Sequence, residues 1–190
     1  MAMTDGEGLE IRTASLADAS DLAGVHVASW RETYVGMVPE AMLSALSVDS
    51  RTAMWERILG ERTTGRSTAV YVADIGGKVV GFASCGAQRT TALAERGYDA
   101  EVSAIYVLRD FQRRAIGTRL LFATAADLSR MGFGALSLWV LRGNRPARRF
   151  YERYGGRVIA EREDVEGETV FLEVAYGWSN LAELARLTGE

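Results

Sequence analysis

The chain has 190 residues, of which 48% are hydrophobic, 25% are charged and only two are proline. This composition predicts an ordered globular domain and excludes a disordered or low-complexity protein. The formal net charge of -3 gives no overall basic field, so no nucleic-acid partner is expected, and the single cysteine, Cys85, excludes an internal disulfide framework and favours a cytoplasmic protein.

The ends of the chain are predicted to lie outside the domain. Residues 1–10 are polar and are expected to form a flexible N-terminal tail. Residues 11–178 are predicted to form the domain, and residues 179–190 a short C-terminal helix or tail. No apolar run reaches the roughly 18 to 20 residues that span a bilayer, so no membrane association is expected.

The first third of the chain is predicted to be mostly helical. After a short strand at 11–14, Ser15 and Asp18 are residues that cap a helix, and Leu22 and His26 follow at helical spacing. His26 is the only histidine. A lone histidine on an apolar helix face is more often a packing residue than a catalytic one.

The rest of the chain alternates strands and helices. Hairpins are predicted at 69–86 and 157–176, where two runs rich in β-branched and aromatic residues flank a glycine-containing turn. Two apolar segments between them, 101–108 and 135–141, are predicted as strands in the middle of the sheet. Each is followed by a helical pattern, so the sequence predicts a fold of mixed α and β elements.

The most informative stretch is residues 101–121, which read EVSAIYVLRDFQRRAIGTRLL. A central strand, a short loop and a helix start follow one another directly, and the free N–H groups of a helix start bind anions. Small residues at Ala115 and Gly117 would let a diphosphate approach the backbone, with Arg113 and Arg114 nearby. A plain strand-to-helix connection with two solvated arginines remains an equal reading of this loop alone.

The two common nucleotide-binding loops fit this stretch less well. A Walker loop requires Gly-Lys-Ser/Thr, whereas Gly117 is followed by Thr118 and Arg119. A dinucleotide-binding fold requires G-x-G-x-x-G, and that pattern is absent here.

These motifs resemble those of the GNAT superfamily of N-acetyltransferases. The family's acyl-CoA loop reads Gln/Arg-x-x-Gly-x-Gly/Ala after a central strand, and residues 112–117 (QRRAIG) fall in register with it. Residues 138–156 (LWVLRGNRPARRFYERYGG) resemble the family's next strand and its Phe-Tyr helix. The N-terminal loop of many members is matched by Trp30, Thr33, Tyr34, Gly36 and Pro39.

The resemblance implies a fold and a cofactor. The fold is α/β (α+β), with a central mixed, mostly antiparallel sheet of six to seven strands, flanking helices and two splayed central strands. Acetyl-CoA or another acyl-CoA is the implied co-substrate, with no metal. The residues expected to bind it are Ile105, Tyr106, Val107, Gln112, Arg113, Arg114, Ala115, Ile116, Gly117, Thr118, Asn144, Arg148 and Tyr151.

Within that set, the resemblance implies that the backbone at 105–107 pairs with the pantetheine arm and that the Val107 N–H faces the thioester carbonyl. Ala115 stands where the family usually has glycine. Its Cβ would crowd a bound phosphate if this residue adopted a positive φ. Asn144 either contacts the pantetheine or caps the following helix, and both can be true.

Two residues are candidates for catalysis. Tyr151 matches the tyrosine that many members place near the thiol sulfur, which makes it the candidate general acid, although a packing role beside Phe150 is also open. Glu101, at the start of the central strand, matches a position from which related enzymes use a carboxylate as base. An exposed residue at a strand start is the alternative.

The resemblance further implies direct transfer of an acetyl group to a primary amine of a small molecule or a peptide. Trp30, Arg31 and Tyr34 are expected to border the acceptor pocket together with Glu101, and Cys85 is expected to be an inert buried thiol. A homodimer is possible. Two other functions stay open at this point: an acyl-CoA-binding sensor without turnover, and an enzyme that binds another phosphate compound at the same helix start.

Overall fold

The computed structural model describes residues 8–60 and 68–187. Within them, seven strands form one sheet: β1 (Leu9–Thr13), β2 (Ala69–Ile75), β3 (Lys78–Ala87), β4 (Ala100–Val107), β5 (Leu136–Leu141), β6 (Arg157–Glu166) and β7 (Thr169–Trp178). The α-helices are α1 (Ala19–Thr33), α2 (Glu40–Ser44), α3 (Val48–Gly60), α4 (Thr91–Ala94), α5 (Ile116–Arg130), α6 (Arg145–Arg153) and α7 (Leu181–Arg186). Short 3-10 turns lie at Leu16–Asp18 and Arg109–Phe111.

The strand order is β1-β2-β3-β4-β5-β7-β6. Every neighbouring pair is antiparallel except β4 and β5, which are parallel. A parallel pair needs a crossover, and α5 provides it. The prediction of a mixed, mostly antiparallel sheet of six to seven strands with flanking helices is therefore confirmed.

Helices cover the sheet on both faces and divide the core in two. On one face, α1 and α3 pack on β2, β3 and the side chains of Ala104 and Tyr106 of β4. On the other face, α5, α6 and α7 pack on the alternate residues of the same strands, including Ile105 and Val107. Since successive side chains of a strand point to opposite faces, residues one apart on β4 contribute to different cores.

An ion-pair network fixes the start of α1 against the sheet edge. Arg12 of β1 contacts the carboxylates of Asp18 at 2.7 Å and Asp74 at 3.0 Å. Asp18 also accepts a hydrogen bond from the backbone N–H of Ser15 at 2.7 Å. These contacts with Arg12 and Ser15 hold the pKa of the Asp18 carboxyl well below its usual range.

Both predicted domain limits need correction. β1 begins at Leu9, where Leu9 pairs with Ile75 and Glu10 with Asp74, so these two residues belong to the sheet rather than to a tail. At the other end, α7 buries Leu181 and Leu184 in the main core. The helix ends before Leu187. Residues 1–7 and 188–190 of the predicted tails lie outside the described part of the chain.

Candidate functional site

A cleft opens between the two parallel strands at the centre of the sheet. β4 and β5 pair only through Ala100 with Leu136 and Glu101 with Ser137, and beyond these pairs the strands diverge. Two residues beyond the last β4–β5 pair, a bulge at Ser103 of β4 interrupts the register between β4 and β3. Bulges bend a strand and increase its twist, which accounts for the divergence.

The backbone of β4 offers donors to this cleft. The N–H of Leu108 donates to the carbonyl oxygen of Val80 at 3.0 Å, so this N–H points toward β3. Alternate residues point the other way, and the N–H groups of Ile105 and Val107 therefore face the cleft. The N–H of Tyr106 points toward β3, so of the three predicted backbone contacts Tyr106 is not available.

The loop that follows β4 has an unusual backbone. Arg113 has φ of 59° and Ala115 has φ of 58°, and the described residues contain no other non-glycine residue with a positive φ. Backbone of alternating handedness turns successive N–H groups into one concavity that suits an anion. Within the described chain, the N–H groups of residues 113–118 donate no hydrogen bond, so all of them are free for such an anion.

The side chains of the loop support this arrangement. Gln112 donates from Nε2 to the carbonyl oxygen of Val107 at 3.0 Å, which ties the loop back to β4. Arg113 and Arg114 are exposed, and the guanidinium of Arg114 lies 5.4 Å from the ring centre of Phe111. Thr118 bonds through its hydroxyl to that of Tyr154 at 2.8 Å, so its backbone N–H rather than its side chain is available.

Gly117 brings the loop, the cleft and α6 together. A Cβ built on Gly117 would lie 3.7 Å from the ring of Phe150 and 3.9 Å from the side chain of Val107. Ile116, its neighbour, is buried in the core beneath the loop. The loop that follows β4 and the cleft are therefore parts of one site.

Helix α6 closes the other side of the cleft. The side chain of Asn144 caps this helix by accepting a hydrogen bond from the N–H of Ala147 at 3.2 Å. Arg148 donates to the hydroxyl of Tyr176 at 3.1 Å and to the carbonyl oxygen of Arg142 at 3.2 Å. The side chains of Asn144 and Arg148 thus both have structural contacts within the protein.

Tyr151, also on α6, is buried against Phe150, Tyr176 and Trp178, with ring centres 5.4 to 6.1 Å apart. Within the described residues its hydroxyl makes no hydrogen bond, and it is not sealed from solvent. Burial raises the pKa of Tyr151 above its ordinary value, and the nearby Tyr34 adds to this effect. The hydroxyl therefore stays protonated and can donate.

Glu101 is buried, which excludes the exposed strand-start alternative. Its Oε2 accepts a hydrogen bond from the backbone N–H of Arg89 at 2.9 Å, and its Oε1 accepts one from Nε of the same residue at 2.5 Å. Glu101 lies at the last paired position before the cleft opens. A base role would require water to relay the proton or Arg89 to move.

Aromatic residues of α1 and β4 line the side of the cleft away from α6. The hydroxyls of Tyr34 and Tyr106 lie 3.1 Å apart, and Trp30 packs edge-on against Tyr34 with ring centres 5.0 Å apart. Arg31 instead donates to the backbone oxygen of Leu46 at 2.8 Å and thereby holds the loop after α2. Of the predicted acceptor residues, Trp30 and Tyr34 are in contact with each other, while Arg31 binds the loop after α2 and Glu101 binds Arg89.

His26 and Cys85 are packing residues, as predicted. His26 is stacked on Tyr106 with ring centres 5.7 Å apart, and burial lowers the pKa of His26 to about 4. Cys85 is buried in the core, and burial raises the pKa of its thiol to about 12.

Three residues at the cleft were not predicted from the sequence: Trp139 of β5, Arg162 of β6 and Glu173 of β7. The guanidinium of Arg162 lies 4.2 Å from the ring centre of Trp139, and its Nε donates to Glu173 at 2.7 Å. In β5, Trp139 alternates with core residues, and this pattern in the sequence could have placed Trp139 on the other face of the sheet. The hairpin that pairs β6 with β7 was predicted, but the register that places Arg162 opposite Glu173 was not.

Across residues 8–60 and 68–187, no helix has the length and apolar content to cross a membrane. In the same part of the chain, no three His, Cys, Asp or Glu side chains are grouped so that they could hold a metal ion.

A family model described as the acetyltransferase (GNAT) family matches residues 20–156. Among protein sequences, the chain is similar to the uncharacterized N-acetyltransferase YuaI of Bacillus subtilis, with 36% identity over 179 residues, 93% of this chain and 96% of that one. It is also similar to an uncharacterized N-acetyltransferase of Archaeoglobus fulgidus, with 30% identity over 143 residues, 75% of this chain and 89% of that one.

Solved structures share the fold at low sequence identity. The PaiA N-acetyltransferase of Thermoplasma acidophilum, crystallised in complex with coenzyme A, superposes with a TM-score of 0.67 at 20% identity, over 90% of this chain and 99% of that one. YncA of Salmonella typhimurium, solved with its cofactor acetyl-CoA, has a TM-score of 0.65 at 19% identity, over 91% of this chain and 94% of that one.

Proposed function

The chain belongs to the GNAT family of acetyltransferases, and from this premise we propose that it transfers the acetyl group of acetyl-CoA directly to a primary amine of a small molecule or a peptide. The observation that carries the proposal is the continuity of two features. A loop with free N–H groups at 113–118 suits a pyrophosphate, and the cleft that starts beside it suits an extended pantetheine arm.

The described residues fit acetyl-CoA at each end of the cleft. The loop offers backbone N–H groups and the exposed Arg113 and Arg114 to phosphates. The unpaired edge of β4 offers the N–H groups of Ile105 and Val107 to amide and thioester carbonyls, and Tyr151 lies on the opposite wall. Acetyl-CoA supplies an activated acetyl thioester when it is bound.

Residues of the chain then perform three tasks during transfer. The amine nitrogen forms a bond to the carbonyl carbon as the carbon–sulfur bond breaks, so the amine loses one proton and the thiolate gains one. The Val107 N–H stabilises the charge that develops on the carbonyl oxygen, a contribution of about 3 kcal/mol for such a donor. Tyr151 donates a proton to the departing thiolate, and Glu101 accepts the amine proton through water.

The properties of Cys85 support direct transfer rather than a thioester-linked acyl-enzyme. Cys85 is the only cysteine of the sequence, and it is buried in the core. Its pKa is raised by burial to about 12, so the thiolate needed for an acyl-enzyme is scarce at neutral pH.

Ala115 supports a second candidate function, an acyl-CoA-binding sensor with weak or no turnover. Its positive φ places a Cβ on the residue that a phosphate must approach. Weaker or shifted cofactor binding would leave the thioester poorly aligned for transfer.

Calorimetry with acetyl-CoA, combined with an assay of thiol release over a broad amine panel, tests both candidates. The proposal predicts binding of acetyl-CoA and amine-dependent release of thiol. Tight binding without release from any amine would favour the sensor. Stabilisation by ATP or NAD but not by acetyl-CoA in a thermal-shift screen would overturn both.

A further inference from the structure

Arg162 is held in place from two directions. Its guanidinium lies 4.2 Å from the ring centre of Trp139, a cation–π distance, and its Nε and Nη2 both contact Oε2 of Glu173, at 2.7 Å and 2.6 Å. Arg162 starts on β6, reaches across Glu173 of β7 and ends over β5. Its charged group therefore lies beside the cleft, although its backbone is two strands away.

The Arg162 group lies on the acceptor side of the sheet. On β5 and β7, the neighbours of Trp139 and Glu173 along the strand pack in the core that contains α5. The side chains of Trp139 and Glu173 therefore point to the opposite face of the sheet, which also carries Tyr106 and α1. Burial raises the pKa of the Tyr34 hydroxyl, and the charge of Glu173 adds to this effect, which reflects the proximity of the two side chains. An amine that approached the cleft from this face would pass Arg162.

The contact between Arg162 and Glu173 leaves the outer edge of the guanidinium free. Glu173 uses the edge formed by Nε and Nη2, and in the described chain Nη1 donates no hydrogen bond. The edge formed by Nη1 and Nη2 is the one that binds a second carboxylate in a bidentate fashion. The Glu173 side chain is 16% exposed and that of Arg162 is 37% exposed, so an incoming ligand meets the arginine first.

Arg89 has the same arrangement on the other side of Trp139. It contacts Glu101 through Nε and Nη2, and its side chain is 73% exposed while that of Glu101 is 9% exposed. Thr90, its neighbour, accepts a hydrogen bond from the indole N–H of Trp139 at 3.2 Å. Both glutamates are thus neutralised, and the exposed charges that flank Trp139 are positive.

We propose that Arg162 determines acceptor specificity by binding a carboxylate that the acceptor carries in addition to its amine. The inference rests on the proposed function and names the substrate class of the same site. A cationic acceptor is disfavoured, because it would have to displace Arg162 from both Trp139 and Glu173. A fixed guanidinium with a free edge needs no rearrangement to bind a carboxylate.

The test compares matched pairs of amines that differ only in a carboxylate. The pairs are α-amino acids, β-alanine and γ-aminobutyrate, each with its neutral carboxamide. For the best pair, kcat/KM of the wild type should be higher for the acid by at least about 30-fold, as expected for charge-assisted hydrogen bonds. In Arg162→Gln this preference should disappear through a rise in KM for the acid, and Arg162→Lys should restore part of it.

Arg142→Gln is the matched control. Arg142 is an exposed arginine near the same strands, and its only ion pair, within the described residues, is a 3.9 Å contact with Glu161. This variant should keep the acid preference of the wild type. Circular dichroism and acetyl-CoA affinity should match in all variants, which separates a loss of specificity from misfolding.

The remaining outcomes are also decisive. Equal rates for acids and carboxamides, or a preference for diamines that Arg162→Gln increases, would overturn the inference while leaving acetyl transfer intact. If no amine releases thiol, the proposed function fails, and thermal shifts with the same pairs in the presence of coenzyme A then test the carboxylate site. Stabilisation by acids in the wild type but not in Arg162→Gln would still support it, and equal shifts would refute it.

Discussion

Ala115 holds a left-handed backbone conformation at the start of α5, with φ of 58° and ψ of 5°. An alanine pays about 1 to 2 kcal/mol for this conformation because its Cβ crowds the backbone, whereas glycine does not. The substitution of glycine by alanine in the family's loop therefore has a measurable energetic consequence. The motif alone could not show this, because the sign of φ is not readable from the sequence.

We expect Ala115→Gly to raise the free energy of unfolding by about 0.5 to 1 kcal/mol, since strain is relieved and only part of the gain is lost to backbone entropy. It should also tighten acetyl-CoA binding, because the phosphate can then approach the backbone. Urea denaturation and calorimetry measure the two effects.

Ala53→Gly, in the exposed middle of α3, is the control and should lower stability by a similar amount. If both variants lowered the free energy of unfolding, Ala115 would not be strained.

Tyr151→Phe should reduce kcat by about 10- to 100-fold and leave acetyl-CoA affinity nearly unchanged. The effect is modest for a general acid because thiols are fairly acidic leaving groups. Since burial raises the pKa of Tyr151 above its ordinary value of about 10, its deprotonation should cause no fall in kcat below that pH. Tyr154→Phe removes the hydroxyl of the residue that follows α6, which bonds to Thr118, and this variant should keep kcat. Full activity of Tyr151→Phe would return this residue to a packing role.

Glu101→Gln tests the base. If Glu101 takes the amine proton, kcat/KM of the variant should fall by about 100-fold, and its pH profile should lose the acidic limb of the wild type. Glu152→Gln removes a carboxylate of α6 that bonds to Tyr176, and its profile should keep that limb. An acidic limb that persists unchanged in Glu101→Gln would exclude Glu101 as the base.

At the scale of elements, the sequence located most of the strands and the longer helices but not the cleft. Alternating and helical spacing of apolar residues located β4, α5 and β5 to within one or two residues. The divergence of β4 and β5 depends on the bulge at Ser103 and on how few residues the two strands pair. Ser103 is an ordinary strand residue in the sequence, so the splayed strands came from the family resemblance alone.

The interface of α1 with the sheet makes stability depend on pH through His26. This residue is enclosed by Trp30 of α1, Trp55 of α3, Phe82 of β3 and Tyr106 of β4, with Arg51 of α3 the nearby charge. Its pKa is lowered to about 4 in the folded protein, chiefly by burial. As pH falls from about 6.5 to about 4, the unfolded chain therefore takes up a proton that the folded chain does not, and stability decreases.

We expect His26→Gln to reduce the loss of stability between pH 7 and pH 5 by about 2 kcal/mol relative to the wild type. Urea denaturation at the two pH values measures this difference. Carboxylates such as Asp18 contribute equally to both proteins, so the comparison isolates the histidine. A pH dependence that is identical in the variant would show that His26 accepts a proton freely in the folded state.

At the scale of the whole molecule, the fold could be predicted from the family resemblance, whereas the residues proposed to select the acceptor could not. The sequence and the family resemblance predicted the sheet, whereas the roles of the loop at 112–117 and of Tyr151 in binding acetyl-CoA stay predictions. Trp139, Glu173 and Arg162 lie on the three neighbouring strands β5, β7 and β6. They come together because β7 pairs with β5 on one side and with β6 on the other. The pairing of β5 with β7 joins segments that are far apart in the sequence and leaves no local pattern, so the position of Trp139 beside Arg162 was the least predictable part of the proposed site.

The most direct test of the proposed acetyl transfer is a crystal structure of the complex with acetyl-CoA. We expect the pyrophosphate oxygens within hydrogen-bonding distance of the backbone N–H groups of residues 113–118, and the pantetheine arm between β4 and β5. The sulfur should lie beside the hydroxyl of Tyr151. A ligand bound elsewhere on the sheet, or one whose sulfur points away from α6, would contradict the proposed acetyl transfer.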